Sequence, residues 1–517
     1  MADGRSTSGL RELEAKFRVH SPFELPEIAG VAADVASVDP PRQFTMTAVY
    51  YDTADLRLAR EGVTLRRRAG GKDAGWHLKL PVLDHTVPDG TGARDEIQLP
   101  DSPDVPPELR DLITAWVRTA SLGPVATLVT ERTKLILRDA EGAELVELVD
   151  DAVSVEDNTH IQARFREIEV EDTGGGQKVI AQVAAVLQEA GAVGGEFVPK
   201  VVRALGPRAT APQEPPPPQD AGRRDPAHVA VTATLRRHTR ELMAEDVRVR
   251  RGLDDSVHQM RVATRRLRSA LKTFRPLLDE TWARSLADEL GWLAEVLGTA
   301  RDTEVLRARL LAATDELPPH ARADAVRAKL TELCDRDLEA ATEAVRTALR
   351  SERYLLLVER LVDGAMYPRT TEAARRPAGD ALPPLVRAAW GRLRRRANPI
   401  MRPRRGGPEP ADYHRVRIAA KQVRYACDAV APVFGAKARR LSKQAERVQD
   451  LLGEHQDAIV AAQFLADVAA GPRSGTLAFG LGILSARQEV LAAQAREEFE
   501  EIWPDVVRRK RRRWLAT

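Results

Sequence analysis

The stretch GPRATAPQEPPPPQDAGRRDPAH, residues 206–228, constrains this chain more than any other. Proline has no amide hydrogen to give a helix or a strand ladder, and its ring favours an extended, solvated backbone. No regular element can run through four consecutive prolines, so the spacing predicts separate folding on either side, with residues 207–226 as a linker. A chain of 517 residues fits two to four domains in any case.

Charge divides at the same place. Residues 1–226 carry 26 Lys/Arg against 37 Asp/Glu, and residues 227–517 carry 53 against 39. The formal net charge of +3 is therefore the sum of an acidic and a strongly basic half, and only the second could hold a polyanion by bulk charge. With 30% charged and 43% hydrophobic residues, the composition reads as globular. Cys334 and Cys427 are the two cysteines, which excludes a disulfide framework and an all-thiolate zinc site. The opening MADGRSTSGLRELEAKF lacks a signal-peptide core, and no run approaches 18 apolar residues. A cytoplasmic protein without membrane contact is expected.

Upstream of the prolines the pattern has period two. Glu12, Glu14 and Lys16 in LRELEAKF would share one face of a strand. Arg66 and Arg68, Arg94 and Glu96, Arg132 and Lys134, and the triplet Glu167, Glu169, Glu171 repeat that spacing, and Lys79 sits between leucines. Any one set is an ordinary polar outer face of an antiparallel sheet. Carboxylate triplets beside cations on several strands suggest instead an enclosed face. There, carboxylate oxygens could hold Mg²⁺ or Mn²⁺ while guanidinium and ammonium groups clamp phosphate oxygens. That set suits phosphoryl transfer.

ELEAK resembles the opening signature of the CYTH superfamily, the triphosphate tunnel metalloenzymes, and the later charged sets follow in the family's order over residues 12–203. The resemblance implies an eight-stranded antiparallel β tunnel over residues 8–206 that takes a triphosphate end-on with a divalent metal. It assigns catalysis to Glu12, Glu14, Lys16 and Lys200, and substrate binding to Arg66, Arg68, Lys79, Arg94, Arg132 and Lys134. Metal would fall to Glu12, Glu14, Glu147, Asp150, Glu167, Glu169 and Glu171. The family's activities include triphosphatases acting on inorganic, thiamine and RNA triphosphates, and class IV adenylyl cyclase.

From Val229 onward apolar residues recur at three and four. In VHQMRVATRRLRSALKTF, His258, Arg261, Arg265, Arg268 and Lys272 fall within an arc of about 80° on a helix, opposite Met260, Ala263, Leu267, Leu271 and Phe274. YHRVRIAAKQVRYACDAV repeats this, with His414, Arg417, Lys421 and Arg424 opposite Val416, Ala419, Val423 and Val430. LAEVLGTARDTEVL and VQDLLGEHQDAIVA continue the echo, so a duplication is expected, with repeats near 227–385 and 386–510. Like charges at i,i+4 cost a few tenths of a kcal/mol per pair, a cost that a polyanion would remove. Few aromatics accompany the arginines, so specific nucleic-acid binding is not expected.

This half resembles the CHAD domain, the conserved histidine α-helical domain, over 227–510. The match rests on His258, Arg261, Arg265, Arg266 and Arg268 in its first basic helix and His414, Arg417, Lys421, Arg424 and Tyr425 in its second. One departure is His455, which stands where the first repeat has Ala300. The resemblance implies two helical bundles around a basic cavity that binds inorganic polyphosphate, and hence association with polyphosphate granules. The combined expectation is an α+β multidomain protein: a metal-dependent triphosphatase hydrolysing inorganic triphosphate or a related triphosphate, coupled to polyphosphate binding. A non-catalytic polyphosphate-binding protein and a class IV adenylyl cyclase are the alternatives.

Overall fold

The computed structural model describes residues 10–32, 34–71, 73–81, 94–157, 160–194, 198–402, 407–471 and 475–515. The chain separates into two compact units, Met1–Glu214 and Pro215–Thr517. The division falls inside the proline stretch, and each part of that stretch is anchored at a few points to its own unit. In the first unit Arg60 and Arg118 grip the Glu214 carboxylate at 2.9 and 2.7 Å, and Ala209 is buried. In the second, Arg240 donates to the Pro215 carbonyl at 2.9 Å and Ala221 is buried. Prolines cannot donate, but their carbonyls still accept, and arginines supply the partners.

The first unit is built on one antiparallel sheet. Its strands are β1 (Leu10–Glu12), β2 (Glu14–Val19), β3 (Ser37–Val38), β4 (Arg42–Asp52), β5 (Thr64–Ala69), β6 (Gly75–Pro81), β7 (Arg94–Leu99), β8 (Gly123–Arg138), β9 (Glu144–Asp157), β10 (His160–Asp172) and β11 (Val193–Gly194). Eight of these have six or more residues; β1, β3 and β11 are short additions to the eight-stranded expectation. The order is β1-β7-β6-β5-β4-β8-β9-β10-β2-β11, with β3 on β8. Among the described residues no ladder joins the two ends of that order. They are nevertheless tied, because β1 on β7 and β2 on β10 are one stretch of chain interrupted only at Leu13.

Strand alternation decides what the enclosed face contains. Phe17, Leu137, Val146, Leu148, Ile168 and Val170 point outward and are covered by the helix Gly176–Glu189 through Val179, Ile180, Val183 and Leu187. Burying each such side chain contributes about 1.5–3 kcal/mol. With the apolar face covered by a helix, the alternate polar residues of β2, β8, β9 and β10 face the interior.

The second unit is helical. Ala227–Arg250, Ser256–Thr273, Glu280–Thr314 and Ala323–Arg350 correspond in order to Ala378–Met401, Pro410–Phe434, Ala436–Ala469 and Gly475–Val506, with Glu352–Met366 added to the first set. The expected repeat boundary at 385/386 lies inside the Ala378–Met401 helix, which carries Pro383 and Pro384 within it. Leu310, Val326 and Leu330 of the first set pack with Ala461, Leu465, Leu481 and Leu484 of the second in one core. Among the described residues, no helix is long and apolar enough to cross a membrane.

Candidate functional site: a charged tunnel and a cationic seam

Every cation assigned above to catalysis or substrate binding in this unit lines one cavity. Lys16, Arg66, Arg68, Lys79, Arg94, Arg132, Lys134 and Lys200 line a space of about 170 Å³, together with Glu14, Asp73, Glu96, Glu147, Glu169, Glu171 and Tyr50. Register explains the convergence. Glu169 lies opposite Lys16 and Glu171 opposite Glu14 across β10–β2, Lys79 opposite Glu96 across β6–β7, and Arg132 opposite Asp151 across β8–β9. Lys200 arrives from the first turn of the helix Lys200–Leu205.

The cavity has a balanced side and an unbalanced one. On the balanced side Lys16 meets Glu169 at 2.5 Å and Glu14 at 3.3 Å, and Lys200 meets Asp151, Glu167 and Glu169 at 2.8–3.0 Å. Arg132 binds Asp151 with both arms of its guanidinium at 2.7 and 2.8 Å. Burial opposes charge on Glu169, yet Lys16, Lys200 and Arg132 hold its carboxyl well below the usual range. Burial likewise opposes the Lys200 ammonium, and the three surrounding carboxylates hold it well above the usual lysine range. Lys134 pairs with Glu147, and Arg94 donates to the Gly62 carbonyl.

On the other side Arg68 has no carboxylate partner among the described residues. Burial, with Arg66 and Arg132 close by, pushes its guanidinium down to about 10. The Nε of Arg66 is buried without a hydrogen-bond partner. Two crowded guanidinium groups with unmet donors make an anion site, since only an anion relieves both the repulsion and the lost hydration.

Glu14, Glu169 and Glu171 could hold a cation: one oxygen of each lies within 4.8 Å of the others. Burial and then the Glu169 charge push the Glu171 carboxyl up, a conflict a hard divalent ion would relieve. An all-carboxylate donor set suits such an ion, so the residues fit.

The remaining candidates divide. Glu167 is fully buried behind the cavity wall, bonded to Lys200 and to Arg203 at 2.9 Å. Asp150 does not reach the cavity. It lies on the opposite face of β9 and forms a two-armed pair with Arg166 at 2.6 and 2.8 Å. Asp151, in phase with Glu147, is the inward residue and is fully buried. The side chain of Glu12 lies outside the described residues; its backbone pairs with Arg94. Asp151, Glu96, Asp73 and Tyr50 join the site beyond the assigned set.

In the helical unit the predicted apolar faces are buried: Met260, Leu267, Leu271 and Phe274 in one basic helix, Val416, Val423 and Val430 in the other. The two helices adjoin, with Arg265 donating to the Tyr425 hydroxyl and lying over its ring at 5.6 Å. Lys421 faces Arg265 and Arg261 across this seam, with Arg417 one turn before it on its own helix. Arg261 lies beside Gly298 and Arg417 beside Gly453, so the echoed arginines pass the echoed glycines in the same way.

Some cations are already paired. Arg261 meets Asp302 at 3.0 Å, Arg266 turns to Glu241 at 3.4 Å, and Arg424 meets Glu446 at 2.9 Å. Arg268 and Lys272 lie toward the Glu280–Thr314 helix, with Arg268 over Gly291 and Asp288 near Lys272. His414 contacts Gln456 at 3.2 Å, whereas His258 Nδ1 has no hydrogen-bond partner among the described residues. In the unliganded seam, burial and the neighbouring Arg301, Arg261 and Arg265 lower the His258 imidazole pKa. His455, by contrast, is a buried side chain whose Nδ1 contacts the Ala492 carbonyl at 3.1 Å.

A CYTH domain model matches residues 10–201 and a CHAD domain model matches residues 233–466. The chain is 35% identical over 522 residues, 95% of each chain, to Uncharacterized protein Rv2226 of Mycobacterium tuberculosis (strain ATCC 25618 / H37Rv). Among solved structures, PptA from Streptomyces chartreusis is similar at 24% identity over 54% of this chain and all of that one, with a TM-score of 0.46. The CHAD domain from the plant Ricinus communis is similar at 24% identity over 54% of this chain and 94% of that one, with a TM-score of 0.41.

Proposed function

The chain belongs to the CYTH superfamily through its N-terminal unit and carries a CHAD domain in its C-terminal unit, and from that premise we propose a divalent-metal-dependent triphosphatase joined to a polyphosphate-binding bundle. One observation carries the reading: eight cations from five strands and one helix converge on a single cavity against six carboxylates, leaving Arg68 without a carboxylate partner among the described residues. The lining is net positive by two charges. A linear triphosphate carries about four to five negative charges near neutral pH, so it matches this lining together with one divalent ion.

In this reading Arg66, Arg68 and Arg132 grip phosphate oxygens, and Lys16 and Lys200 orient the carboxylates they contact. Glu14, Glu169 and Glu171 would hold Mg²⁺ or Mn²⁺, which when bound neutralises phosphate charge and makes a coordinated water more acidic. Hydrolysis forms a bond from water oxygen to phosphorus and breaks a bridging P–O bond. Inorganic triphosphate then yields phosphate and diphosphate. The seam between the two basic helices would hold a phosphate chain through Arg265, Arg417 and Lys421.

The test is phosphate release from triphosphate, long-chain polyphosphate, thiamine triphosphate and ATP, each with and without Mg²⁺ or Mn²⁺. Release from triphosphate that requires metal supports the proposal. No release from any substrate favours a tunnel that only grips chain ends, and conversion of ATP to a cyclic nucleotide and diphosphate favours the cyclase alternative. Binding of polyphosphate that double-stranded DNA matches at about 0.15 M salt would reduce the seam to a general polyanion surface.

A further inference from the structure

His77 is a buried histidine in the wall of the tunnel, 2% exposed, on β6 beside Lys79. It lies behind the cavity surface rather than on it. Its Nε2 lies 2.8 Å from the backbone carbonyl of Asp73, and its Nδ1 lies 2.7 Å from Oε1 of Glu96. A carbonyl can only accept, so Nε2 carries a hydrogen. The Nδ1–Oε1 contact is then a hydrogen bond only if it holds a second proton, on either the ring or the carboxyl. Without that proton two lone pairs would face each other at 2.7 Å in a buried site. With it the His77–Glu96 pair is neutral.

That neutrality matters because of what else Glu96 faces. Its Oε1 lies 3.7 Å from Arg66 and its Oε2 lies 3.4 Å from Lys79. Arg66 arrives from β5 opposite His77, Glu96 and Arg94 come from β7, and Asp73 precedes β6. An unshielded Glu96 carboxylate would spend its charge on two of the cations that the substrate must use. We infer that His77 is a positioning residue: by sharing a proton with Glu96 it weakens the hold of that carboxylate on Arg66 and Lys79, two cations that the tunnel reading gives to phosphate. The inference rests on the phosphate-binding reading of the tunnel and assigns His77 no contact with substrate.

The experiment uses the full chain and measures triphosphate KM, kcat and calorimetric Kd for wild type, His77→Asn and the double variant His77→Asn/Glu96→Gln. Asparagine can donate to Glu96 but cannot supply the extra proton, so H77N should weaken triphosphate binding about tenfold, in KM more than in kcat. Adding E96Q removes the exposed charge and should restore KM to within about twofold, a rescue that a merely structural histidine would not show. Unchanged KM in H77N, or a double variant as weak as H77N, overturns the inference. A wild-type chain that binds no triphosphate overturns the tunnel reading and this inference with it. Should H77N not fold, the wild-type chain labelled with ¹⁵N-histidine and ¹³C-glutamate gives the answer directly. A protonated Nδ1 or a protonated Glu96 carboxyl supports the inference, and a bare Nδ1 beside an ionised Glu96 refutes it.

Discussion

Binding of polyphosphate at the helical seam should weaken steeply as pH rises through neutrality, and Lys421 should be the cause. Burial first, then Arg265, Arg417 and Arg261, push its ammonium down to about 7, with Asp457 opposing. A phosphate chain lying in the seam supplies the missing negative charge, so in the complex the ammonium returns toward an ordinary lysine value of about 10.4. Binding therefore takes up a proton between those limits. With a free-state value of about 7, about nine-tenths of the sites are protonated at pH 6 and about one-tenth at pH 8. Affinity should fall roughly tenfold over that interval and about tenfold more by pH 9. The assay is calorimetric titration of long-chain polyphosphate into wild type and Lys421→Arg at each pH, in two buffers of different ionisation enthalpy. Arginine stays charged throughout, so K421R should lose most of the slope and the proton uptake, while contributions from other groups persist in both proteins. Equal slopes in the two proteins, or a flat wild-type profile from pH 6 to 9, would refute the reasoning.

The same residue gives a stability signature of opposite sign: between about 7 and 10.4 the unfolded state holds the proton that native Lys421 has released, so native stability rises with pH across that window. Lys421→Met should accordingly melt higher than wild type at pH 6, with the gap closing toward pH 10, while binding polyphosphate less well. Arg68→Met should likewise raise the melting temperature of the unliganded chain and lose triphosphate affinity in calorimetry, because it removes a buried cation with no carboxylate partner among the described residues. Glu14→Gln should keep the circular-dichroism spectrum and lower metal-dependent phosphate release about 10²–10³-fold, with weaker Mn²⁺ binding by titration. Asp151→Asn strips Lys200 and Arg132 of a buried partner and should cost about 3–5 kcal/mol in denaturant unfolding, whereas Asp150→Asn, on the outer face, should cost under about 1 kcal/mol.

The contrast between Asp150 and Asp151 shows where the sequence could be read and where it could not. Period-two spacing put Lys16, the Arg66/Arg68 pair, Arg94 and the Arg132/Lys134 pair each on a strand face with a charged neighbour, and all of them line the cavity, whereas Lys200 follows from the family resemblance alone and stands on a helix. At Leu148–Val149–Asp150–Asp151 two acids are adjacent, and only counting in twos from Glu147 selects the inner one. The pairing of Asp150 with Arg166 depends on the β9–β10 register, which spacing within one strand does not reveal. His77 was out of reach for the same reason: its partners lie four and nineteen residues away, one of them a backbone carbonyl. In the helical unit the apolar and basic faces were legible from 3.6-residue periodicity. What spacing could not show was which arginines other helices neutralise, as Glu241 does for Arg266 and Glu446 for Arg424.

The single stretch from Leu10 to Val19, which pairs with β7 on one flank and β10 on the other, has a consequence for how the protein comes into being. Its partners lie far along the chain: Glu14 waits for Glu171, and Lys16 for Glu169. During synthesis its β2 part emerges with both hydrogen-bonding edges bare and stays so until β10 has been made, because its partners are β10 and β11. Pairings of such long sequence separation form slowly, and a bare two-sided edge invites capture by other chains. Glu14 and Lys16, which line the finished tunnel, would also guard that interval, because charges at this spacing discourage a foreign strand from docking alongside.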